Sequence, residues 1–245
     1  MKLGRCGVFL ILCGSLCLAD DRDRWQADRT QLTAAIEKSP ESVDLYSRRG
    51  DALFFLGQFS DSAADYDKMV QLNAALDAEH WRRGIAWFYA GEYEKAAGQF
   101  ERYHSFDNVD RENGIWRYLC QRKAVGQEKA RQGLLKYEKD DREPFGDVYK
   151  LFQGTITAEA LLDKIHKAEI SDVERQKRLF YAELYVGLNE SVEDRPESAQ
   201  KHLRSAADNP WPQKAGYGPH YMAQVARVHA VLLETAPVKP TSPPQ

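Results

Sequence analysis

The stretch RRGDALFFLGQFSDSAADYDKMVQL, residues 48–72, returns as RRGIAWFYAGEYEKAAGQFERYHSF at residues 82–106. At an offset of 34, Arg48, Arg49, Gly50, Ala52, Phe54, Gly57 and Ala63 recur unchanged as Arg82, Arg83, Gly84, Ala86, Phe88, Gly91 and Ala97. Other positions keep their character: Phe55 with Tyr89, Phe59 with Tyr93, Ser62 with Ala96, Tyr66 with Phe100, and Leu72 with Phe106. Within each copy, apolar residues follow helical spacing on both sides of a glycine where a helix would end. The pattern predicts helices at 44–56 and 60–72, then at 78–90 and 94–106, with turns at Gly57-Gln58-Phe59 and Gly91-Glu92-Tyr93. Agreement of sequence and spacing marks an internal repeat.

Outward from this pair the chain reads as a degenerate helical continuation. A leading helix at 23–38 is stopped by Ser39-Pro40. Residues 111–125 and 127–139 read as a hairpin without the glycine signature, and two shorter helices, 144–153 and 157–168, flank Gly154-Thr155-Ile156. Residues 172–188 and 195–207 resemble the repeat again, with Ala182 in the small position of the first helix and Ala199, Leu203 and Ala206 in the second. Ala182 lies 17 residues before Ala199, against 12 from Gly50 to Ser62, which predicts a five-residue insertion in a turn at 189–194. Asn209-Pro210-Trp211-Pro212 breaks the helix, a loop runs to Pro219, and a last helix is expected at 220–234. The expected segments are thus 20–42, 43–110, 111–170, 171–210 and 211–236, with a Pro-rich, disordered tail at 237–245. No strand-like alternation of useful length occurs.

A 34-residue helix–turn–helix unit is the period of the tetratricopeptide repeat (TPR), and the chain resembles that family residue by residue. Small residues stand at repeat positions 8 and 20 (Gly50 and Ser62, Gly84 and Ala96), and aromatics at 17 and 24 (Phe59 and Tyr66, Tyr93 and Phe100). The resemblance implies an all-α solenoid of TPR type with degenerate C-terminal repeats. It also implies that positions 2, 5, 9, 12 and 13 line a concave groove. Here these are Asp44, Ser47, Asp51, Phe54 and Phe55, then Ala78, Trp81, Ile85, Phe88 and Tyr89. The candidate partner-binding groove is Ser47, Asp51, Phe54, Phe55, Trp81, Ile85, Phe88 and Tyr89, with Trp81 and Tyr89 as aromatic anchors. Two occupants stay open: a peptide or helix of another protein, or the chain's own last helix or a second copy. Ser47, Asp51, Trp81 and Ile85 stand where a carboxylate clamp would need Lys, Arg and Asn, so recognition of a chaperone C-terminus is excluded. The Arg48-Arg49 and Arg82-Arg83 pairs sit among Asp44, Asp51, Asp65, Glu79 and Glu94, and are expected to form solvated ion pairs.

The chain carries 34 basic and 37 acidic residues, a formal charge of −3 that gives no footing for nucleic acid or an anionic membrane. Lys2 and Arg5, the apolar run at 6–18 and Cys17-Leu18-Ala19 before Asp20-Asp21-Arg22 read as a secretory signal cut after Ala19. The apolar run is too short to span a bilayer. Lipidation would need a small residue before the cysteine, whereas Cys13 and Cys17 both follow leucine, so membrane attachment is expected only if that fit is overridden. Cleavage leaves Cys120 as the remaining cysteine, without a disulfide partner and expected in the core.

No motif for catalysis is present. The histidines, 80, 104, 166, 202, 220 and 229, form no His-Glu-x-x-His pair, and no Gly-x-Ser-x-Gly or Gly-x-Gly-x-x-Gly occurs. Glu79-His80 reads as a surface or capping pair, and Asp140-Asp141-Arg142-Glu143 as a solvated loop. The expectation is a non-enzymatic protein without cofactor or metal.

Within the TPR proteins, the chain resembles the NlpI-type lipoproteins of the bacterial envelope. The likeness rests on Arg83 through Tyr89 with Ala96, on Ile115-Trp116-Arg117-Tyr118-Leu119, on Leu151 through Ile156, and on Phe180 through Tyr185. It implies a dimerising solenoid in the periplasm or envelope, an adaptor for peptidoglycan hydrolases or a periplasmic protease. The poor lipidation site, the 189–194 insertion and the Pro-rich tail depart from that pattern.

Overall fold

The computed structural model describes the backbone from Leu12 to Thr235 except Asp140, and side chains from Asp21 onward. The expected leader, 1–19, and the Pro-rich tail, 237–245, fall outside the residues whose side chains are described. Every regular element among the described residues is helical. None of these helices is long and apolar enough to cross a membrane. The chain divides into two compact units, Met1–Ala74 and Ala75–Gln245.

The first unit holds α1 (Leu12–Lys38), α2 (Val43–Phe55) and α3 (Phe59–Leu72). Its core is Leu32, Ile36, Tyr46, Leu53, Phe54, Tyr66 and Met69. Gly50 makes the close packing of α2 on α3 possible, since a Cβ there would lie 2.6 Å from the Tyr66 ring. Gly57 ends α2 with φ +80°. Its N–H bonds Phe54 O at 2.9 Å and the next N–H, Gln58, bonds Leu53 O at 2.9 Å, the pair of bonds that satisfies the last carbonyls of a helix.

The second unit holds α4 (Trp81–Tyr89), α5 (Tyr93–Phe106), α6 (Arg111–Val125), α7 (Gln127–Gln132), α8 (Phe145–Gln153), α9 (Ala158–Lys167), α10 (Asp172–Val192), α11 (Pro196–Ala207) and α12 (Tyr217–Thr235). The α4–α5 hairpin repeats the α2–α3 construction. A Cβ on Gly84 would meet the Phe100 ring at 2.7 Å. Gly91, at φ +83°, ends α4, with Gly91 N–H on Phe88 O at 3.1 Å and Glu92 N–H on Trp87 O at 2.9 Å. Helix α6 packs on α4, α5, α7, α8 and α10. It is buried on most of its circumference, from Asn113 through Trp116 and from Tyr118 through Cys120, as a helix enclosed by neighbours must be. Cys120 is fully buried.

Three readings of the sequence are corrected. The helix expected at 127–139 ends at Gln132. The supposed insertion at 189–194 is not in a turn: α10 runs on to Val192. The turn residue is Asp194, at φ +58°, with Asp194 N–H on Ser191 O at 3.3 Å and Arg195 N–H on Glu190 O at 3.0 Å. The small residue of this hairpin is therefore Gly187 rather than Ala182. It sits seven residues before its turn residue, as Gly50 precedes Gly57 and Gly84 precedes Gly91, and twelve before Ala199. No residues have been inserted; Asp194 stands where the first two hairpins have glycine. Asp tolerates the left-handed conformation better than most side chains.

The third correction concerns the arginine pairs. Arg49 and Arg83 are internal clasps rather than solvated ions. Arg49 Nε and Nη2 donate to both carboxylate oxygens of Asp65, at 2.7 and 2.6 Å. Arg83, 4% exposed, donates Nε to Gln99 Oε1 at 3.0 Å. Each arginine reaches the residue sixteen positions on, in the partner helix of its hairpin. Arg48 does lie in solvent, 3.8 Å from Asp44.

Candidate functional site

The eight expected groove residues fall in both units. In the first unit, Phe54 is fully buried and its ring packs on Phe55 and Phe59 at 6.0 and 5.3 Å. Phe55 is half-buried, 4.7 Å from the Trp25 ring. Asp51 accepts a hydrogen bond from the Tyr66 hydroxyl at 2.7 Å, and Ser47 is half-buried beside it on α2.

In the second unit, Ile85 and Phe88 are core residues, 0% and 5% exposed. Phe88 packs edge-on to Trp116 at 5.6 Å. With Phe54, these residues fill the interior and are not reached by a partner in this conformation. Trp81 and Tyr89 meet the chain's own last helix. The Trp81 ring stands at 89° to Tyr221 at 5.1 Å. The Tyr89 hydroxyl pairs with His229 Nδ1 at 2.8 Å, and the other ring nitrogen pairs with Ser191 Oγ at 2.7 Å. Burial, and then Lys123, lowers the His229 pKa to about 4, so the ring is neutral at physiological pH.

Trp81 also forms part of the wall of a cavity of about 310 Å³ within the second unit. Trp81, Phe100, Tyr103, Trp116 and Tyr181 line it, together with Met222, Gly218 and Pro219. Asp110, Glu112, Asn113 and Arg142 supply the polar end. These groups come from the start of α6 and from the loop before α8. Asp110 caps α6, accepting from Glu112 N–H at 3.0 Å. Glu112 takes hydrogen bonds from the Tyr185 hydroxyl and from Arg142. Arg142 also pairs with Asp141 at 3.1 Å and Asp110 at 3.5 Å, and its guanidinium lies 4.3 Å over the Phe145 ring. Burial pushes the Glu112 carboxyl up to about 7; Arg142 and the Tyr185 hydroxyl oppose this, and Asp110 and Asp141 add to it. Burial likewise raises Asp110.

The reading of 140–143 as a solvated loop fails at Asp141, whose side chain is 6% exposed beside Arg142, which joins three carboxylates; Arg142 and Glu143 are exposed as expected, and Asp140 lies outside the described residues. No local cue announces it, because Arg142 is 30 residues from Glu112, which is 73 from Tyr185. His80, placed by sequence at the surface or a cap, is the buried cap of α4, its Nδ1 accepting from Arg83 N–H at 3.3 Å. No His, Cys, Asp and Glu grouping suited to a metal ion occurs among the described residues. A scan of the chain against models of known protein families finds no match.

Proposed function

We propose that the protein is an exported adaptor of TPR type that holds other proteins together and carries out no reaction of its own. The observation behind this reading is the recurrence of one hairpin design. A glycine sits against a large side chain sixteen positions on, and a left-handed residue seven positions after that glycine reverses the chain. The design occurs at Gly50, Gly84 and Gly187. Stacked hairpins of this kind gain stability from neighbours and present extended surfaces suited to protein partners. The resemblance to NlpI-type proteins narrows the proposed partners to peptidoglycan hydrolases or a periplasmic protease. Affinity capture on the purified protein from envelope extracts, read by mass spectrometry, tests this; recovery of no hydrolase or protease removes the specific version.

A second reading is favoured by the contacts of α12. Trp81 and Tyr89 are engaged by Tyr221 and His229, so the aromatic surface of α4 is filled from within the chain. The protein is then a structural or assembly factor that pairs with a second copy elsewhere on its surface. Light scattering decides the point: a monomer at micromolar concentration ends this version. A photocrosslinker at Trp81 separates the two readings, giving links to α12 alone or to a foreign protein.

A further inference from the structure

We infer that the aromatic cavity of the second unit binds an organic cation, an alkylammonium group of about the size of a lysine side chain. The inference does not depend on the adaptor reading. Ligand pockets of small molecules begin near 300 Å³, and this one is about 310 Å³. Arg142, in its lining, has a side chain 38% exposed.

Three features select a cation that donates hydrogen bonds. First, carboxylates outnumber the guanidinium at the polar end. One guanidinium, Arg142, serves Asp110, Glu112 and Asp141, so the cluster keeps an excess of negative charge when the carboxyls are ionised. Second, Asn113 lines the cavity at 2% exposure. Its Nδ2 donates to Asp110 O at 3.3 Å, and among the described residues its Oδ1 accepts no hydrogen bond. Buried polar groups are ordinarily satisfied, so an acceptor left open against a cavity marks the place of a donor. Third, the wall holds the indole and phenol rings of Trp81, Trp116, Tyr103 and Tyr181, and aromatic rings attract an ammonium ion and its alkyl stem. An anion would meet carboxylates, and an uncharged apolar molecule would leave the Asn113 Oδ1 without a donor.

The ammonium has two sources, a free amine or a lysine of a bound polypeptide. The test is calorimetric titration of the full protein with n-butylammonium, n-butanol and an N-acetylated peptide carrying one internal lysine, with the indole N–H of Trp116 followed by NMR. Butylammonium is expected to bind at least about tenfold more tightly than butanol and to shift the Trp116 signal. Asp110→Asn, which keeps a competent helix cap, is expected to weaken butylammonium by about tenfold. Glu112→Gln is a second variant should the first fold poorly. A peptide that binds more tightly than butylammonium assigns the site to a polypeptide lysine; equal or weaker binding assigns it to a free amine. Equal binding of butanol, absence of heat and signal change at tens of millimolar, or unchanged affinity in both folded variants would overturn the inference.

Discussion

Gly187 lies so close to Leu203 that a Cβ at Gly187 would come 2.6 Å from Leu203 Cγ and 3.0 Å from its backbone nitrogen. Alanine normally favours a helix interior over glycine by roughly 1 kcal/mol. Here the backbone of α11 cannot yield, and the hairpin must open. Gly187→Ala is expected to destabilise the protein by about 1–3 kcal/mol, measured by urea unfolding. Gly146, in α8, has nothing within 4 Å of the added carbon. Gly146→Ala is therefore expected to be neutral or stabilising by a few tenths of a kcal/mol.

Asp194 does at φ +58° what Gly57 and Gly91 do at +80° and +83°. A β-branched residue tolerates that backbone worst. In thermal melts, Asp194→Val is expected to cost at least about 1 kcal/mol more than Asp194→Gly. Equal effects would remove the left-handed requirement from this turn.

His229 joins α12 to Tyr89 and Ser191, and its folded pKa is near 4, against 6.5 ordinarily. Below pH 6.5 the unfolded chain gains a proton that the folded chain refuses. Stability from this residue is therefore full above pH 6.5 and lost as pH falls toward 4, by roughly 3 kcal/mol in all. Glu112 acts in the opposite sense. Its folded pKa is about 7 against 4.5, so its contribution declines as pH rises between those values. Denaturant midpoints across pH 4–7.5 separate the two: His229→Gln is expected to flatten the acid limb, and Glu112→Gln to flatten the decline toward neutrality.

Arg83, 4% exposed, bonds Gln99 and Asp77 from inside the α4–α5 hairpin. Removing it leaves Arg102 as the remaining donor to Gln99 Oε1 and to the partly exposed Asp77, and the apolar side chain loses the bonds made inside the hairpin, so Arg83→Met is expected to cost about 1–3 kcal/mol. Arg48, 63% exposed at its side chain, is expected to change stability by less than about 0.5 kcal/mol on the same substitution. Chemical denaturation of the two variants side by side gives the comparison.

What could be read from the sequence was local. Gly57 and Gly91 mark helix ends because few other residues accept their backbone, and the 34-residue offset placed two hairpins at once. The third hairpin was legible at 172–188 and 195–207, but its register was not, since Asp194 carries no such mark and Ala182 offered a false one. Arginine pairs looked alike on paper, yet the helix sends Arg48 outward and Arg49 inward. The cavity had no signature at all, because its acid cluster assembles from α6, the 141–142 loop and α10 only in three dimensions. Of the expected groove, Trp81 alone borders that cavity; Phe54, Ile85 and Phe88 were drawn inside by the same apolar spacing that predicted their helices.

The seating of α12 has a consequence for how the molecule comes into being. Tyr89 meets His229 across 140 residues of chain, and the cavity wall is finished by Gly218, Pro219 and Met222. Closing so long a loop is slow compared with forming a hairpin between neighbours. During synthesis, α4 and α5 emerge and collapse long before their covering helix exists, leaving Trp81 and Tyr89 bare in the nascent chain. That interval is when the aromatic surface is open to a chaperone or a wrong partner, and it ends only when α12 has been delivered.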